Sequence, residues 1–302
     1  MMKFLISMFI AIVLAGCGVG RDKPMLVFQT DFGLKDGAVS AMKGVAKTVD
    51  PELGLYDLTH EIPPYDIWEA AYRLNQTISY WPMGTVFVSV VDPGVGTSRK
   101  SVVALLTNGQ YVVTPDNGVL TLVAKDPGII TIREIDEKVN RREGSGESYT
   151  FHGRDVYAYV AARLASGKIS FDEVGPISST PPVALAFVEA SYNKTPDGPI
   201  LQGGIPALDR AYGNVWTNIS DSLLKLTGLK AGDSLTVEIL HDNQSILKER
   251  MPYVSTFGAV PEGQPLAYLN SLLELSFALN MQDFATKYGV GKGPGWKVRC
   301  TR

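Results

Sequence analysis

The first half of the chain alternates continuous apolar runs with stretches that repeat apolar residues at helical spacing. The runs at 25–29, 53–58 and 85–91 predict buried strands, and the stretches at 37–49 and 66–79 predict helices. Strands that alternate with helices favour a mostly parallel α/β sheet with right-handed crossovers. Because ligands bind at the carboxyl ends of the strands in such sheets, the polar loops after these runs are the first candidates for a functional site.

The pattern changes after residue 176, where prolines become frequent. The later predicted elements are short strands at 215–219, 234–240, 265–269 and 296–299 and a helix at 283–288. Short strands separated by turns indicate an all-β, barrel-like unit. We therefore predict an α/β catalytic domain over 25–180, a linker over 181–200 and a β-barrel-like domain over 201–302.

The N-terminus resembles an export signal rather than part of the fold. Residues 4–14 form an apolar stretch that is too short to span a bilayer, and small residues precede Cys17. This is the pattern of a bacterial lipobox, in which the cysteine is diacylated and becomes the mature N-terminus; the alternative is a plain secretory signal with an incidental cysteine. We predict a lipoprotein signal peptide over 1–17 and a tether over 18–24. Acyl chains on Cys17 would anchor the protein to a membrane outside the cytoplasm, on the periplasmic face or in an outer membrane.

The composition argues against some classes of partner and site. The formal net charge is -3 and no basic, aromatic-interleaved patch occurs, so we do not expect nucleic-acid binding. No two of the three histidines have metal-ligand spacing, and we predict no metal site. If Cys17 is acylated, Cys300 is the one remaining thiol, which rules out an intramolecular disulfide.

Three polar motifs follow or flank the predicted strands of the first half. They are Thr-Asp-Phe-Gly at 30–33, Asp-Pro-Gly-Val-Gly-Thr-Ser-Arg at 92–99 and His-Gly-Arg-Asp at 152–155. Together they supply a carboxylate, a guanidinium and an imidazole, which is enough to orient and deprotonate one water molecule. The loop after Asp92 is short enough to fold Arg99 back beside it.

Each of these motifs also has a purely structural interpretation. An aspartate at the start of a helix is a common N-cap, and this fits Asp31 and Asp36 as well as a ligand contact does. Asp92 begins a Pro-Gly turn, and a single histidine such as His152 is more often a satisfied structural residue. His60 is the rival histidine.

Two polar turns are prominent in the second domain. Residues 209–214 read Asp-Arg-Ala-Tyr-Gly-Asn with Asn218 shortly after, and Asn270 and Ser271 follow a predicted strand. An acid, an amide and an aromatic ring on one turn suit an amine, a purine edge and a purine face. The structural alternative is a β-turn built from Tyr-Gly-Asn.

Six motifs in a fixed order give the chain a resemblance to a known family. They are 30–33 with Asp36, 92–99, Thr-Pro-Asp-Asn-Gly at 114–118, Phe-His-Gly-Arg-Asp at 151–155, 209–214 with Asn218, and 270–271. Across about residues 25–300 the set resembles the S-adenosylmethionine hydroxide adenosyltransferases, relatives of S-adenosylmethionine-dependent fluorinases and chlorinases. The resemblance implies an N-terminal α/β domain, a C-terminal β-barrel and trimers with active sites between one subunit's N-terminal domain and its neighbour's C-terminal domain. The activity it implies is hydrolysis of S-adenosylmethionine to adenosine and L-methionine.

The family's catalytic residues carry over to Asp92, Arg99 and His152. Halogenating relatives lack this set, so its presence points to water as the nucleophile that attacks the ribose 5′ carbon. In this interpretation Arg99 supplies a positive field and His152 accepts the proton or orients the water. Asp92 holds both side chains in place.

The resemblance also assigns the binding of substrate, and S-adenosylmethionine is the substrate rather than a cofactor. It places the ribose hydroxyls on Asp31, the methionine ammonium on Asp36 and Asp209, and the adenine edge on Asn214. Ser271 lies near the methionine carboxylate. The other candidate substrate contacts are the aromatic residues Tyr65, Trp81, Tyr212 and Phe257 and the amides Asn117 and Asn270.

Three functions remain open from the sequence. The first is a membrane-anchored S-adenosylmethionine hydrolase that works as a homotrimer. The second is a lipoprotein that binds adenosine or a related nucleoside without catalysis, which would leave the Asp92, Arg99 and His152 set unexplained. The third is a halogenase, but halogenating relatives lack that set. S-adenosylmethionine is made in the cytoplasm, so an exported enzyme raises the question of its substrate supply.

Overall fold

The structure is a computed structural model that describes residues 25–196 and 198–302. The predicted signal peptide, the lipidation site Cys17 and the tether over 18–24 lie outside the described residues. Of the helices that the structure describes, none is both long and apolar enough to cross a membrane.

The N-terminal domain is built on a six-stranded mixed sheet. Its strands are β1 Met25–Thr30, β2 Gly54–Thr59, β3 Val86–Val90, β4 Ser101–Leu106, β5 Tyr111–Pro115 and β6 Ile129–Glu134. The strand order is β2-β1-β3-β5-β4-β6, and only β4 runs against its neighbours. The two-domain α/β class is confirmed, and the sheet is mixed because β4 and β5 form an antiparallel hairpin at Asn108 and Gly109. Gly109 takes a φ of 77°, the left-handed conformation that such a tight turn requires.

Helices cover both faces of this sheet. They are α1 Ala38–Val49, α2 Ile67–Ile78, α3 Glu137–Asn140 and α4 Tyr159–Ala165, with a π-helical turn at Gly153–Ala158 and another at Ala124–Gly128, and a 3₁₀ turn at Phe171–Val174. The helical segment that ends in α4 is therefore π-helical in its first turn. Asp66 caps α2 by accepting a hydrogen bond from Glu69 N at 2.8 Å. Separate buried clusters on the two faces fix the sheet between the helices.

The C-terminal domain is all β apart from short helical turns. Its strands are β7 Ser191–Thr195, β8 Gly198–Ile205, β9 Ala207–Asp209, β10 Asn214–Ser220, β11 Ser234–His241, β12 Gln244–Pro252, β13 Pro265–Leu269, β14 Glu274–Leu279 and β15 Gly293–Thr301. They form two antiparallel sheets, β13-β14-β10-β9 and β12-β11-β15-β8-β7. The short helices are α5 Asp221–Lys225, α6 Phe284–Tyr288 and a 3₁₀ turn at Phe257–Ala259. Val215, Val237, Phe277 and Val298 share one buried core with no side-chain exposure above 1%.

The stretch predicted as a linker over 181–200 contains ordered sheet. Strand β7 and the first residues of β8 lie inside it, and Tyr192 pairs with Leu201. Sequence patterning missed β7 because Ser-Tyr-Asn-Lys-Thr is an edge strand without an apolar run. The connecting segment proper is the shorter stretch that precedes Ser191.

Helix α2 of the first domain packs against the second domain. Trp68 Nε1 donates to the Pro206 carbonyl at 2.8 Å, and Arg73 Nη2 donates to the Leu208 carbonyl at 3.2 Å. Glu69, which is 2% exposed, forms ion pairs with Arg73 and with Lys292 from the second domain. These contacts fix the start of β9, and with it the 209–214 turn, against the first domain.

Candidate active site

Asp92 and Arg99 lie at the carboxyl end of β3. The intervening loop is closed by hydrogen bonds from Val95 N to the Asp92 carbonyl at 3.2 Å and from Thr97 N to the Gly94 carbonyl at 3.1 Å. This turn folds Arg99 back beside Asp92, as the spacing predicted. The register of β1 on β3 pairs Thr30 with Val90, so the first and second polar motifs emerge side by side.

His152 completes a directly bonded set with these two residues. Arg99 Nε lies 2.9 Å from Asp92 Oδ1, and Arg99 Nη2 lies 2.5 Å from Asp92 Oδ2. The same Nη2 lies 2.8 Å from His152 Nδ1. All three side chains are at least nine-tenths buried. The structure therefore brings the predicted carboxylate, guanidinium and imidazole together.

The contact with Arg99 determines the tautomer of His152. A guanidinium can only donate, so Nδ1 must accept and the ring proton of the neutral imidazole lies on Nε2. Burial lowers the pKa of His152, and the charges of Arg99 and Arg141 act in the same direction. Nε2 is buried without a hydrogen-bond partner among the described residues. The neutral ring thus offers one free N–H donor.

Two residues that the sequence analysis did not single out complete the surroundings of Arg99. Arg99 Nη1 donates to Ser101 Oγ at 2.9 Å, and Ser101 Oγ lies 3.2 Å from the Tyr157 hydroxyl. The Arg99 guanidinium also lies over the Tyr157 ring, 5.6 Å from its centroid. Tyr157 could have been noticed in the sequence as a tyrosine within the apolar run after His152.

Asp31 is held by the loop after β2. Its Oδ2 accepts a hydrogen bond from Tyr65 N at 2.9 Å, and Tyr65 itself adopts a left-handed φ of 68° with its ring exposed. The rival histidine His60 is structural, because its Nδ1 lies 2.8 Å from Thr30 Oγ1 and its Nε2 lies 2.9 Å from Asp57 Oδ1. These contacts fix the 30–33 loop on which Asp31 lies.

Two other predicted residues of the first domain form hydrogen bonds with backbone groups. Asn117 Nδ2 donates to the Val91 carbonyl at 2.8 Å, which places it next to Asp92. Asp36 is exposed and accepts from Ala38 N at 2.9 Å, as a residue at a helix start does.

Trp81 lies away from these residues, and its assignment to the pocket wall is corrected. It packs on Tyr56 and Phe87 at the amino end of β3, where Gln110 Nε2 donates to its carbonyl. A crossover helix in an α/β unit runs antiparallel to the strands it connects. Trp81, which follows α2, therefore lies at the amino ends of the strands, whereas Asp92 lies at their carboxyl ends.

The predicted substrate-binding residues of the C-terminal domain line a cavity of about 680 Å³. The predicted residues in its wall are Asp209, Tyr212, Asn214, Phe257, Asn270 and Ser271. Trp216 and Tyr268 add aromatic surface, and the Phe257 and Tyr268 rings lie 4.9 Å apart. Apolar walls with a few convergent polar groups are typical of a small-molecule site.

The Tyr-Gly-Asn turn in this wall requires its glycine. Gly213 has a φ of 69°, and a Cβ at this position would lie 1.9 Å from Asp283 Oδ1. Asp283 in turn caps α6 by accepting from Thr286 N at 2.7 Å. On the other side of the glycine, Asn214 Nδ2 donates to Asp209 Oδ2 at 3.3 Å. The turn therefore sets the amide and the carboxylate in one place.

Asn270 shapes the second polar turn of the cavity. Its Oδ1 accepts from Leu272 N at 2.9 Å and from Glu274 N at 3.1 Å. Its Nδ2 is buried and has no hydrogen-bond partner in the described part of the chain. Ser271 lies exposed at the tip of the turn. Asn270 thus positions the turn with its oxygen.

The cavity and the buried triad occupy different domains of one chain. All residues in the cavity wall fall between Asp209 and Asp283, and none of them belongs to the first domain. The structure thus brings the predicted residues together as two separate half-sites, one around His152 and one around Asn214.

Comparison with known proteins identifies the family of each domain. Residues 26–175 match the family profile described as SAM hydroxide adenosyltransferase N-terminal domain, and residues 203–297 match the profile of the C-terminal domain. The chain belongs to the SAM hydroxide adenosyltransferase family. The order of motifs from residue 30 to residue 271 predicted this membership.

Individual relatives cover nearly the whole chain. An (R)-S-adenosyl-L-methionine hydrolase from Salinispora arenicola is 44% identical over 92% of this chain and 98% of its own. A fluorinase from Actinoplanes sp. is 30% identical over 90% of this chain and 96% of its own. The crystal structure of an uncharacterized conserved protein from Thermotoga maritima superposes with a TM-score of 0.82 at 33% identity and covers 91% of this chain and 100% of that one.

Proposed function

We propose that this member of the family hydrolyses (R)-S-adenosyl-L-methionine to adenosine and L-methionine. The observation that carries the proposal is the buried, mutually bonded set of Asp92, Arg99 and His152 with a free Nε2 donor. The name of the Salinispora arenicola relative supports both the reaction and the (R) configuration at the sulfonium. A receptor for nucleosides has no use for a water-orienting set of this kind.

The proposed reaction is an in-line displacement at the ribose 5′ carbon. A bond forms from the water oxygen to C5′, the C5′–sulfur bond breaks, and methionine leaves as a neutral thioether while one proton is released. The leaving group needs no acid, so the demand falls on the nucleophile. The proposed reaction uses no cofactor, since S-adenosylmethionine is the substrate.

Each member of the triad has a distinct part in this scheme. The Nε2–H of His152 donates to the water oxygen and aims a lone pair at the carbon. Arg99 holds the imidazole in that tautomer and adds positive field, and Asp92 fixes Arg99. Of the two roles that the sequence left open for His152, this geometry favours orientation over proton abstraction.

The C-terminal cavity would bind the rest of the substrate. We assign the purine faces to the exposed rings of Tyr212 and Phe257 and the purine edge to Asn214. Asp31 retains Oδ1 for the ribose hydroxyls, because Tyr65 N takes only Oδ2. The methionine ammonium lies with Asp36 and Asp209, and Ser271 and Asn270 lie toward the carboxylate end.

A trimer would unite the two half-sites. The cavity of one chain and the triad of the same chain do not share lining residues. Exposed aromatic side chains such as Tyr65 and Tyr212, which are 73% and 70% exposed, lie at the rims of both half-sites and suit a surface that a neighbour covers. We therefore propose active sites between the N-terminal domain of one subunit and the C-terminal domain of the next, with the two C-terminal sheets as the barrel-like unit.

The leader supports a location outside the cytoplasm. The apolar stretch and small residues before Cys17 fit a lipidated N-terminus, and residues 18–24 are long enough to separate the first strand from a membrane surface. We propose that the mature enzyme is a membrane-anchored lipoprotein. Retention of radiolabelled palmitate by wild type, and its loss in Cys17→Ser, would test the anchor.

The activity test uses chain from Arg21 onward, which includes both domains. The (R) and (S) epimers of S-adenosyl-L-methionine are incubated separately with wild type and with His152→Ala, without added halide. Equimolar adenosine and methionine from the (R) epimer, reduced about tenfold or more in the variant, is the expected result. Bound adenosine without turnover would instead indicate a binding protein, and a halogenated nucleoside formed on addition of halide would indicate a halogenase.

A further inference from the structure

A second ion pair lies behind the catalytic set. Ser101, which accepts from Arg99, also donates through Oγ to Glu137 Oε1 at 3.3 Å. Glu137 Oε2 in turn lies 3.7 Å from Arg141 Nη1, one helical turn further along the chain. Arg99 is therefore backed by two carboxylates, Asp92 directly and Glu137 through a hydroxyl, and the second carboxylate has a cation of its own.

Arg141 is an unusual cation because it is buried and nearly unpartnered. Its side chain is 9% exposed, and none of its three guanidinium nitrogens has a hydrogen-bond partner within the described residues. It lies over the ring of Tyr149 at 4.3 Å, and that ring meets the edge of His152 at 6.2 Å. A buried charge without hydrogen bonds is unfavourable, so the position is held by Glu137 and the Tyr149 ring.

The charged groups around His152 come from three segments of the chain. Asp92 and Arg99 belong to the loop after β3, Glu137 to α3, and Arg141 to the segment after α3. The rings of Tyr149 and Tyr157 make edge contacts with the His152 ring, at centroid distances of 6.2 and 6.5 Å. Desolvation lowers the pKa of His152 most, Glu137 acts in the opposite direction, and Arg99 and Arg141 lower it further. The two members of the Glu137–Arg141 pair thus act on the ring with opposite signs.

We propose that Glu137 and Arg141 are positioning residues for the hydrolysis. Glu137 anchors Arg99 through Ser101, and Arg141 balances the charge of Glu137 beside the imidazole that accepts the hydrogen bond from Arg99. The proposal rests on the proposed function for the significance of His152. Neither residue touches the reacting atoms.

Opposite effects of the two substitutions follow from this arrangement. Glu137→Gln removes the negative charge and leaves Arg141 unpaired, so the protonated imidazole becomes less favourable. Arg141→Met removes the positive charge and leaves Glu137 unpaired, so the protonated imidazole becomes more favourable. Activity that requires the neutral ring then fails at lower pH in Glu137→Gln and at higher pH in Arg141→Met than in wild type. General damage to the fold does not produce shifts of opposite sign.

The test is a pair of pH titrations on the same proteins. The acid limb of kcat is measured between about pH 5 and pH 9 for wild type, Glu137→Gln and Arg141→Met, and we expect displacements of about half a pH unit or more in opposite directions. The exposed residues Glu143 and Lys138 give the matched controls Glu143→Gln and Lys138→Met. In these controls the acid limb of the kcat–pH profile should coincide with that of wild type. Displacement in one common direction, or none, would overturn the proposal.

Histidine NMR keeps this test independent of turnover. The chain has three histidines, so the labelled imidazole signal of His152 is identified by its absence in His152→Ala. Its titration midpoint is expected to move in opposite directions in the two variants, and Arg141→Lys, which keeps the charge, is expected to stay near wild type. Absence of turnover in wild type would overturn the proposed function, while an unmoved His152 midpoint would overturn this inference alone.

Discussion

Arg99 donates from Nη2 to His152 Nδ1 across 2.8 Å, and this contact determines which ring nitrogen of His152 carries the proton. The same guanidinium is bidentate on Asp92. One planar donor fork thus joins the carboxylate and the imidazole, and the fixed directions of the guanidinium N–H groups allow both contacts at once. The proposed catalytic set is therefore a unit in which the guanidinium is the central member.

Arg99→Lys is expected to reduce kcat by about 100-fold and to change KM by less than about threefold. A single ammonium can pair with Asp92, but it cannot hold His152 Nδ1 at the same time in the same plane. The measurement is steady-state hydrolysis of (R)-S-adenosyl-L-methionine. The exposed Arg250 provides the matched control, Arg250→Lys, with wild-type kinetics. Equal kinetics of Arg99→Lys and wild type would show that positive charge alone is required.

Gly213→Ala is expected to lower the free energy of unfolding by about 2–4 kcal/mol and to weaken adenosine binding. The new methyl group would meet Asp283 Oδ1 at 1.9 Å, and the φ of 69° is unfavourable for alanine. Gly232→Ala is the control, since its φ of 97° is also positive but no atom lies within 4 Å of its Cβ. Urea unfolding and calorimetric titration with adenosine measure the two effects. An equal loss of stability in both variants would mean that backbone strain, rather than the contact with Asp283, sets the requirement.

The sequence predicted the triad because each member sits beside a chain segment with a strong local pattern. Asp92 ends an apolar strand, Arg99 follows within one short loop, and His152 precedes a helical run. These local patterns are set by hydrophobic burial, which the sequence shows directly. The elements that escaped prediction, such as β7, are polar edge strands held by their neighbours.

The supporting residues could not be predicted in the same way because their contacts are distant in the chain. Ser101 meets Glu137 across 36 positions, and Arg99 meets His152 across 53. Nothing near Glu137 in the sequence marks it as a neighbour of Arg99. Trp81 shows the converse error, since a family position was carried over although the helix geometry places it at the opposite sheet edge.

Glu274→Gln is expected to stabilise the protein at alkaline pH and not at acidic pH. Burial raises the pKa of Glu274 from 4.5 to about 7, although the neighbouring Asn270 side chain lowers it in part. The folded-state value lies above the unfolded one, so the contribution to stability is complete below pH 4.5 and is lost as the pH rises through about 7. Glutamine stays neutral throughout, and the gain in unfolding free energy at pH 8 is about 1–3 kcal/mol.

Thermal unfolding of wild type and Glu274→Gln at pH 5 and pH 8 measures this effect. The exposed Glu262 gives the control Glu262→Gln, which should follow wild type at both values. A constant difference between Glu274→Gln and wild type at the two pH values would contradict ionisation of a buried carboxyl as the cause.

Complementation between two inactive variants tests whether the active sites lie between subunits. His152→Ala disables the triad, and the double variant Tyr212→Ala, Phe257→Ala removes exposed rings from the cavity wall without disturbing a buried core. In a shared-site trimer, a subunit of the second kind can present its intact triad to the intact cavity of a subunit of the first kind. Random co-assembly then gives about a quarter of the sites a wild-type composition.

The measurement uses the two variants co-expressed with different affinity tags and purified through both. Purification through both tags removes trimers of a single variant, and each mixed trimer has one intact site in three, so activity at low substrate concentration should reach about a third of the wild-type value. A simple mixture of the separately purified proteins without subunit exchange stays inactive. Light scattering of the same sample should give the mass of three chains of 32.7 kDa, less any cleaved leader. If the co-purified trimers are as inactive as the separate variants, each chain uses its own cavity with its own triad, and the domains of one chain must then move to bring His152 and Asn214 to one substrate.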